Sequence, residues 1–182
     1  MIKIFIAYLL IFCFIKVNSQ PVITNNDMPQ PGDIAKYNIA SNIGSFNYIS
    51  TGNNYTWDLS FLTPLNNNAD TFININSTAL LYMITFNNAN VAVKQSGTFS
   101  QGGMMLNDLH NFYKNNSNEF SLLGYGAKFN GITIPAKYDN PDVIYKFPLN
   151  VGNIDSSESF YEISFPSFGY YAQNKKRINH VD

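Results

Sequence analysis

The feature that most constrains the fold is an alternation of apolar and polar side chains with a period of two residues. It occurs in three segments, at residues 55–60, 70–76 and 158–165. Successive side chains of a β-strand point to opposite faces, so the pattern predicts strands that bury one face and expose the other. In the first segment it predicts an inward-facing Trp57, with Tyr55 and Leu59 on the same buried face.

Clusters of β-branched and aromatic residues between turn residues predict further short strands. These cover residues 46–50, 90–95, 129–134, 143–147 and 170–178. Residues 112–114 and 119–125 flank a polar four-residue loop and predict a hairpin. Residues 79–86 carry apolar side chains at helical spacing, which leaves one short helix and an irregular crossover as open alternatives.

Short strands at this spacing predict an all-β fold, as a single antiparallel β-sandwich or barrel-like domain. Almost no chain follows the last predicted strand. We therefore expect the domain to be incomplete at its C-terminus, with an unpaired edge at residues 170–178.

The amino terminus predicts a secretion signal. Lys3 precedes an apolar run at residues 4–15, and Val17 and Ser19 fit the −3 and −1 positions of a signal-peptidase site. This run is shorter than the roughly 20 residues that a membrane-spanning helix needs. We therefore predict a signal peptide at residues 1–19 and a β-rich extracellular domain at residues 20–182, with no membrane span after cleavage.

Cleavage would remove Cys13, the only cysteine, so the exported domain would depend on its core and not on disulfides. It would also remove Lys3 and Lys16, which leaves nine basic residues against twelve acidic ones. The one basic cluster, at residues 175–177, is typical of a solvated strand face. We therefore expect no nucleic-acid partner.

The sequence offers few candidates for a metal or catalytic site. The mature chain would contain two histidines, His110 and His180, and no cysteine, which are too few ligands for a transition metal. No cofactor is expected. Calcium needs only oxygen ligands. Its weak candidate ligands are Asp139, Asp142, Asp155 and Glu158. Asp108 and His110 could begin an acid–base pair, although an exposed turn is the more common outcome of such a segment.

Glycoside hydrolysis would require two carboxylates about 5–9.5 Å apart across a cleft. Glu158 and Glu162 share one strand face but are separated by roughly 13 Å, so they do not form such a pair alone. A cleft lined by two or more acids would favour hydrolysis, and the candidates are Asp108, Asp139, Asp142, Asp155, Glu158 and Glu162. The aromatic residues between 160 and 171 could stack on sugar rings, but a place in the β-core is the favoured interpretation.

Several short motifs occur in a fixed order along the chain. They are Asp27-Met28-Pro29 with Pro31-Gly32-Asp33, Tyr55-Thr56-Trp57-Asp58-Leu59-Ser60, Leu62-Thr63-Pro64, Asp70-Thr71, Phe86 to Ala92, Glu119 to Gly124, Phe147-Pro148-Leu149 with Gly152, Asp155-Ser156-Ser157, and Arg177 to Asp182. Together they resemble uncharacterised secreted proteins of the Bacteroidota that carry a C-terminal type IX secretion sorting domain. The resemblance covers nearly the whole mature chain. Those relatives continue after the Val-Asp dipeptide with Gly-Trp-Gly, another strand and the sorting domain, whereas this sequence stops at Asp182.

None of these motifs is catalytic, so the resemblance implies a route of export and not a reaction. The favoured interpretation is an exported non-catalytic β-domain in cell-surface or extracellular interaction or adhesion, with an unidentified extracellular ligand as its partner. The alternative is a carbohydrate-active or other hydrolytic module whose acids converge only in the fold. The expected location is secreted or cell-surface, and periplasmic if the sorting domain is truly absent.

Overall fold

The fold is all-β and antiparallel, as the alternation predicts, and it fits a sandwich-like or barrel-like domain. The computed structural model describes residues 22–40, 56–101, 104–165 and 169–181. The predicted signal peptide, Cys13, Tyr55 and the predicted strand at residues 46–50 lie outside these residues.

Nine strands and one α-helix make up the described residues, with 3-10 turns at Asn25–Asp27 and Ile75–Ser77. The strands are β1 (Ile34–Ala40), β2 (Pro64–Ile73), β3 (Val91–Lys94), β4 (Phe99–Gln101), β5 (Met104–Asn115), β6 (Glu119–Phe129), β7 (Ile132–Lys146), β8 (Ile154–Phe165) and β9 (Gly169–His180). The helix, α1 (Leu80–Thr85), lies between β2 and β3 and resolves the open choice at residues 79–86 in favour of a short helix.

The strands follow the order β1-β2-β3-β5-β6-β7-β8-β9, and β4 pairs with β5. The ladders of β1–β2, β5–β6, β6–β7 and β8–β9 are long, but β7 and β8 pair through their backbones only at Asn140 and Phe160 within the described residues. Side chains of β8 and β9 bond to the β7 backbone instead. Ser157 Oγ donates to the Val143 carbonyl at 3.0 Å, and the Asn179 amide of β9 donates to the Ile144 carbonyl at 2.8 Å.

The helix α1 packs on one face of the sheet, which we call the outer face and whose opposite we call the inner face. It lies where Gly124 and Gly126 leave β6 without side chains. A Cβ atom added to Gly126 would lie 2.6 Å from the Tyr82 ring, so the ring occupies the space above that glycine. Phe86 stacks on Phe112 with 4.2 Å between ring centroids. The Tyr82 hydroxyl donates to the Ala127 carbonyl at 2.8 Å, which satisfies the polar end of a buried side chain. The helix therefore holds the larger apolar core against the middle of the sheet.

The inner face carries a second core built around tyrosines. Leu122, Tyr138 and Tyr161 are buried there, with Tyr113 and Tyr125 packed against them. Tyr138 reaches this face from a bulge in β7, because four residues of β7 lie opposite the single residue Leu123 of β6. The two faces of one sheet thus support two separate cores.

Two strand predictions are wrong. Residues 56–63 form no strand, and Trp57 is 51% exposed, so the predicted inward-facing indole is corrected to a surface residue that keeps some contact with its surroundings. Residues 129–134 straddle the turn between β6 and β7, where Asn130 and Gly131 both adopt positive φ. Asn and Gly tolerate this conformation well, and their presence was the available turn signal.

Other predictions are confirmed. β5 and β6 form the predicted hairpin, with a loop of residues 116–118, and β9 covers the predicted strand at residues 170–178. β9 pairs only with β8 among the described strands, which agrees with its prediction as an edge.

Candidate functional site

A cleft with a volume of about 650 Å³ lies on the inner face of the sheet. We call it the inner cleft. Side chains of β4 and β5 line one side of it, and side chains of β8 and β9 line the other. β5 and β9 would be roughly 19 Å apart in a flat sheet, since they are four strand spacings of about 4.8 Å from each other. The sheet must therefore curl around the cleft.

Most of the wall of the inner cleft is apolar. Its larger apolar side chains are Phe99, Met104, Leu106, Leu109, Ile134 and Ile163. Strand alternation explains the selection, because Met104 and Leu106 face inward while Met105 between them is 58% exposed and does not line the cleft. The wall therefore offers a ligand contact area and few hydrogen bonds.

Tyrosines and two glutamines supply the polar groups of the cleft. The Tyr125 and Tyr138 hydroxyls are 3.1 Å apart, and the Tyr138 hydroxyl donates to the Gln173 side-chain oxygen at 3.3 Å. Tyr161 packs edge-on against Tyr138, with 5.1 Å between ring centroids. Burial is the main cause that raises the pKa values of Tyr138 and Tyr161 well above the ordinary range, so both hydroxyls stay neutral at physiological pH.

The aromatic segment near residue 165 divides between core and surface. Tyr161 is buried, as the favoured interpretation predicts, and Phe160 is half-buried. Tyr170 and Tyr171 line the cleft but remain 63% and 49% exposed. Tyr171 leans on Tyr161, with 5.9 Å between ring centroids. Phe168 and the side chain of Phe165 are not among the parts of the chain that the structure describes. Exposed tyrosines at the mouth of the cleft are thus available to a ligand.

The four calcium candidates do not converge in the structure. Asp142 binds Lys175 and Arg177, the Asp155 carboxylate accepts from Asn179 at 3.1 Å, and Glu158 pairs with Lys176. Asp139 lies on the exposed side of β7. The described residues contain no group of three or more His, Cys, Asp or Glu side chains that could hold a metal ion. Calcium binding stays a prediction, and the four candidate acids do not form one common set of ligands.

Asp142 is instead the centre of an ion cluster that joins β7 to β9 across β8. Its carboxylate is 1% exposed and receives Lys175 Nζ at 2.5 Å, Arg177 Nε at 2.9 Å and Arg177 Nη2 at 2.9 Å. Burial acts to raise the pKa of Asp142, but the hydrogen bonds from Arg177 and Lys175 outweigh it and hold that pKa below its ordinary value. The predicted solvated basic face is therefore wrong for Lys175 and Arg177, while the exposed Lys176 fits it.

Asp108 and His110 do not form an exposed turn. They lie in β5 at a bulge where Asp108 adopts a φ of +50°. The Asp108 carboxylate binds Lys128 and Lys94, and the hydrogen bond from Lys128 is the largest cause that lowers its pKa.

The His110 ring is buried on the outer face and contacts Tyr82 and Phe112. Its Nδ1 is 2.7 Å from the Asp108 backbone carbonyl, to which it donates, so the partner is the carbonyl and not the carboxylate. Burial lowers the pKa of His110 and favours the neutral ring. The pair therefore shapes the β5 bulge and does not form a carboxylate–imidazole pair.

None of the six candidate acids is among the described residues that line the inner cleft. The sequence singles out Tyr161, Tyr170 and Tyr171 as part of an aromatic segment. It does not single out Tyr125 and Gln173, which line the cleft, or Tyr138, which is bonded to both. The signal available for Tyr125 was its place between Gly124 and Gly126, where one strand face has no side chains and the other carries a tyrosine.

No protein-family model, characterised protein or solved structure is significantly similar to the chain, so the geometry of the inner cleft has to be interpreted by itself. No helix among the described residues has the length and apolar character needed to cross a membrane.

Proposed function

We propose that the protein is an exported, non-catalytic β-domain that binds an extracellular or cell-surface ligand in the inner cleft. The observation that supports binding is the cleft of about 650 Å³, with its apolar wall and its few polar groups. Sites for small molecules are typically hollows of about 300–1,000 Å³ with this composition. Export is supported by the sequence of residues 1–19 alone.

Binding is favoured over the hydrolytic alternative by the contacts of the candidate acids. Asp142 and Asp108 are neutralised by lysine and arginine side chains, and Glu162 accepts a hydrogen bond of 2.6 Å from the Tyr170 hydroxyl. A general acid and base would have to face one common cleft. The described wall of the inner cleft presents neutral groups in that place.

The experiment compares binding by two variants that differ in one strand position. Met104→Glu places a carboxylate in the inner cleft, and Met105→Glu places the same group on the exposed face of β5. A panel of neutral oligosaccharides and apolar compounds is screened for a rise in melting temperature, which a ligand selective for the folded state produces. We expect stabilisation of the wild type and of Met105→Glu, and a loss of it in Met104→Glu.

The hydrolytic alternative and the export signal are tested in parallel. Turnover of any oligosaccharide or ester in the panel that is abolished by Glu162→Gln would overturn the non-catalytic function. Intact mass of the protein recovered from periplasm or medium should correspond to a chain that begins at Gln20, without a free thiol. A recovered chain that retains residues 1–15 would contradict export through a cleaved signal.

A further inference from the structure

We propose that the ligand of the inner cleft is a neutral and mainly apolar molecule, with an aromatic or alkyl body and only one or two hydrogen-bonding groups. This inference rests on the proposed function, since it names the class of ligand for the same cleft. It separates two classes that the aromatic residues alone leave open, namely carbohydrates and apolar compounds.

The described wall of the inner cleft offers no ion partner to a charged ligand. The described residues that line the inner cleft include no Asp, Glu, Lys, Arg or His. The charges of Asp142, Lys175 and Arg177 neutralise one another, and the Glu162 carboxylate, which does not line the cleft, accepts from the Tyr170 hydroxyl. A charged ligand would lose hydration in the cleft without gaining an ion partner, which is costly in an apolar environment. A neutral ligand avoids this cost.

Hydrogen-bonding groups are too few along the described wall of the inner cleft to satisfy a sugar. A sugar ring carries hydroxyls around its whole edge, and each of them needs a partner when it leaves water. The wall formed by Phe99, Met104, Leu106 and Ile163 offers none. An aromatic or alkyl body is satisfied by the same wall, because it gains only from removal of apolar surface from water.

Gln173 is placed to bind one polar group of a ligand in the inner cleft. Gln173 uses its side-chain oxygen to accept from Tyr138, and its amide nitrogen donates to no group within the described part of the chain. Gln173 is half-buried on the inner face of β9, next to the buried tyrosines. A carbonyl or hydroxyl at one end of the ligand would accept from this nitrogen, while the rest of the ligand lies along the apolar wall.

Two dyes that differ by one charged group test the inference directly. N-phenyl-1-naphthylamine is neutral, and 8-anilino-1-naphthalenesulfonate is the same ring system with a sulfonate. Both become fluorescent on transfer from water to an apolar site. We expect the neutral dye to saturate a single site on the wild-type domain and to bind at least tenfold more tightly than the sulfonate.

The variants assign that site to the cleft. Met104→Glu should weaken binding of the neutral dye at least tenfold, and the matched variant Met105→Glu should change it less than twofold. Tyr171→Lys alters a side chain that is 49% exposed at the mouth of the cleft and is therefore a second variant if Met104→Glu does not fold. The added cation should shift the preference toward the sulfonate. Cooperative melting by circular dichroism checks the folding of each variant.

The outcomes separate the inference from the proposed function. Equal or tighter binding of the sulfonate by the wild type would overturn the neutral class. Binding of a neutral oligosaccharide but not of the neutral dye, with loss in Met104→Glu, would overturn the inference and leave the proposed function standing. Dye binding that Met104→Glu and Tyr171→Lys leave unchanged would overturn the inference, and no Met104-dependent binding of any compound would overturn both.

Discussion

Removal of the charge of Asp142 is the most informative perturbation of this fold. Asp142→Asn keeps the size of the side chain, but it leaves Lys175 and Arg177 facing a neutral amide in place of a carboxylate that is 1% exposed. Loss of one partner from a buried ion pair typically costs about 3–5 kcal/mol, because the remaining charge is left uncompensated. The side chains of Lys175 and Arg177 remain 35% and 27% exposed, so water can compensate part of their charge. We therefore expect a loss at the lower end of this range, about 3 kcal/mol.

The matched control is an exposed ion pair between β8 and β9, on the opposite face of β9. Glu158→Gln removes a carboxylate that is 76% exposed from its contact with Lys176, which is 61% exposed. Exposed pairs of this kind contribute about 0–1 kcal/mol. For a domain of this size, about 3 kcal/mol corresponds to a fall in melting temperature of roughly 6–12 °C. Glu158→Gln should lower it by about 4 °C or less.

Thermal and urea unfolding at pH 7, followed by far-ultraviolet circular dichroism, measures both changes. The pH dependence supplies a second readout. The folded-state pKa of Asp142 is lowered, so the stabilisation from its charge is present above the unfolded pKa of about 3.9 and is lost as the pH falls through the folded value. The difference between the wild type and Asp142→Asn should therefore shrink in acid. Equal losses of melting temperature in Asp142→Asn and Glu158→Gln would refute this account of the cluster.

Two further predictions concern the outer face. The pKa of His110 is lowered by burial, so the stabilisation from its neutral ring is full above the unfolded pKa of about 6.5 and declines as the pH falls below that value. Urea midpoints between pH 8 and 5 should show this decline in the wild type and in the variant of the exposed histidine, His180→Gln, and a flatter profile in His110→Gln. Gly126→Ala should cost about 1–3 kcal/mol, because its Cβ would lie 2.6 Å from the Tyr82 ring and 2.8 Å from the Phe112 ring. In a double-mutant cycle with Tyr82→Ala part of that cost should disappear, with the remainder assigned to Phe112, and an unchanged cost would contradict the contact with Tyr82.

Local pattern predicted much of the sheet, because alternation is written into each strand separately. β8, β9 and the hairpin of β5 and β6 follow directly from the spacing of their aromatic and β-branched residues. Trp57 shows where the pattern fails. Residues 56–59 alternate as a strand would, but no strand forms there and Trp57 stays 51% exposed. Alternation specifies two faces, and only pairing with a neighbour decides which face is buried.

The contacts that form the candidate site are long-range, and this limits what the sequence alone can predict. Alternation places Lys175 and Arg177 on one face, but their partner Asp142 is 33 and 35 residues away along the chain. The inner cleft likewise depends on how far the sheet curls, which brings β4 and β5 opposite β9. The bulge that turns Tyr138 inward has no distinct sequence signal within residues 138–141 apart from the turn-like Asp139-Asn140-Pro141.

The single backbone pair between β7 and β8 gives β8 two unlike sides. Its amides that face β9 sit in a continuous ladder, whereas those that face β7 have few ladder partners and depend on side chains such as Ser157 to hold the strands together. Amide hydrogen exchange along β8 should therefore alternate between slow and fast positions. The two walls of the inner cleft lie on opposite sides of the boundary between β7 and β8. Separation of these two strands would therefore admit a ligand without breaking any long ladder.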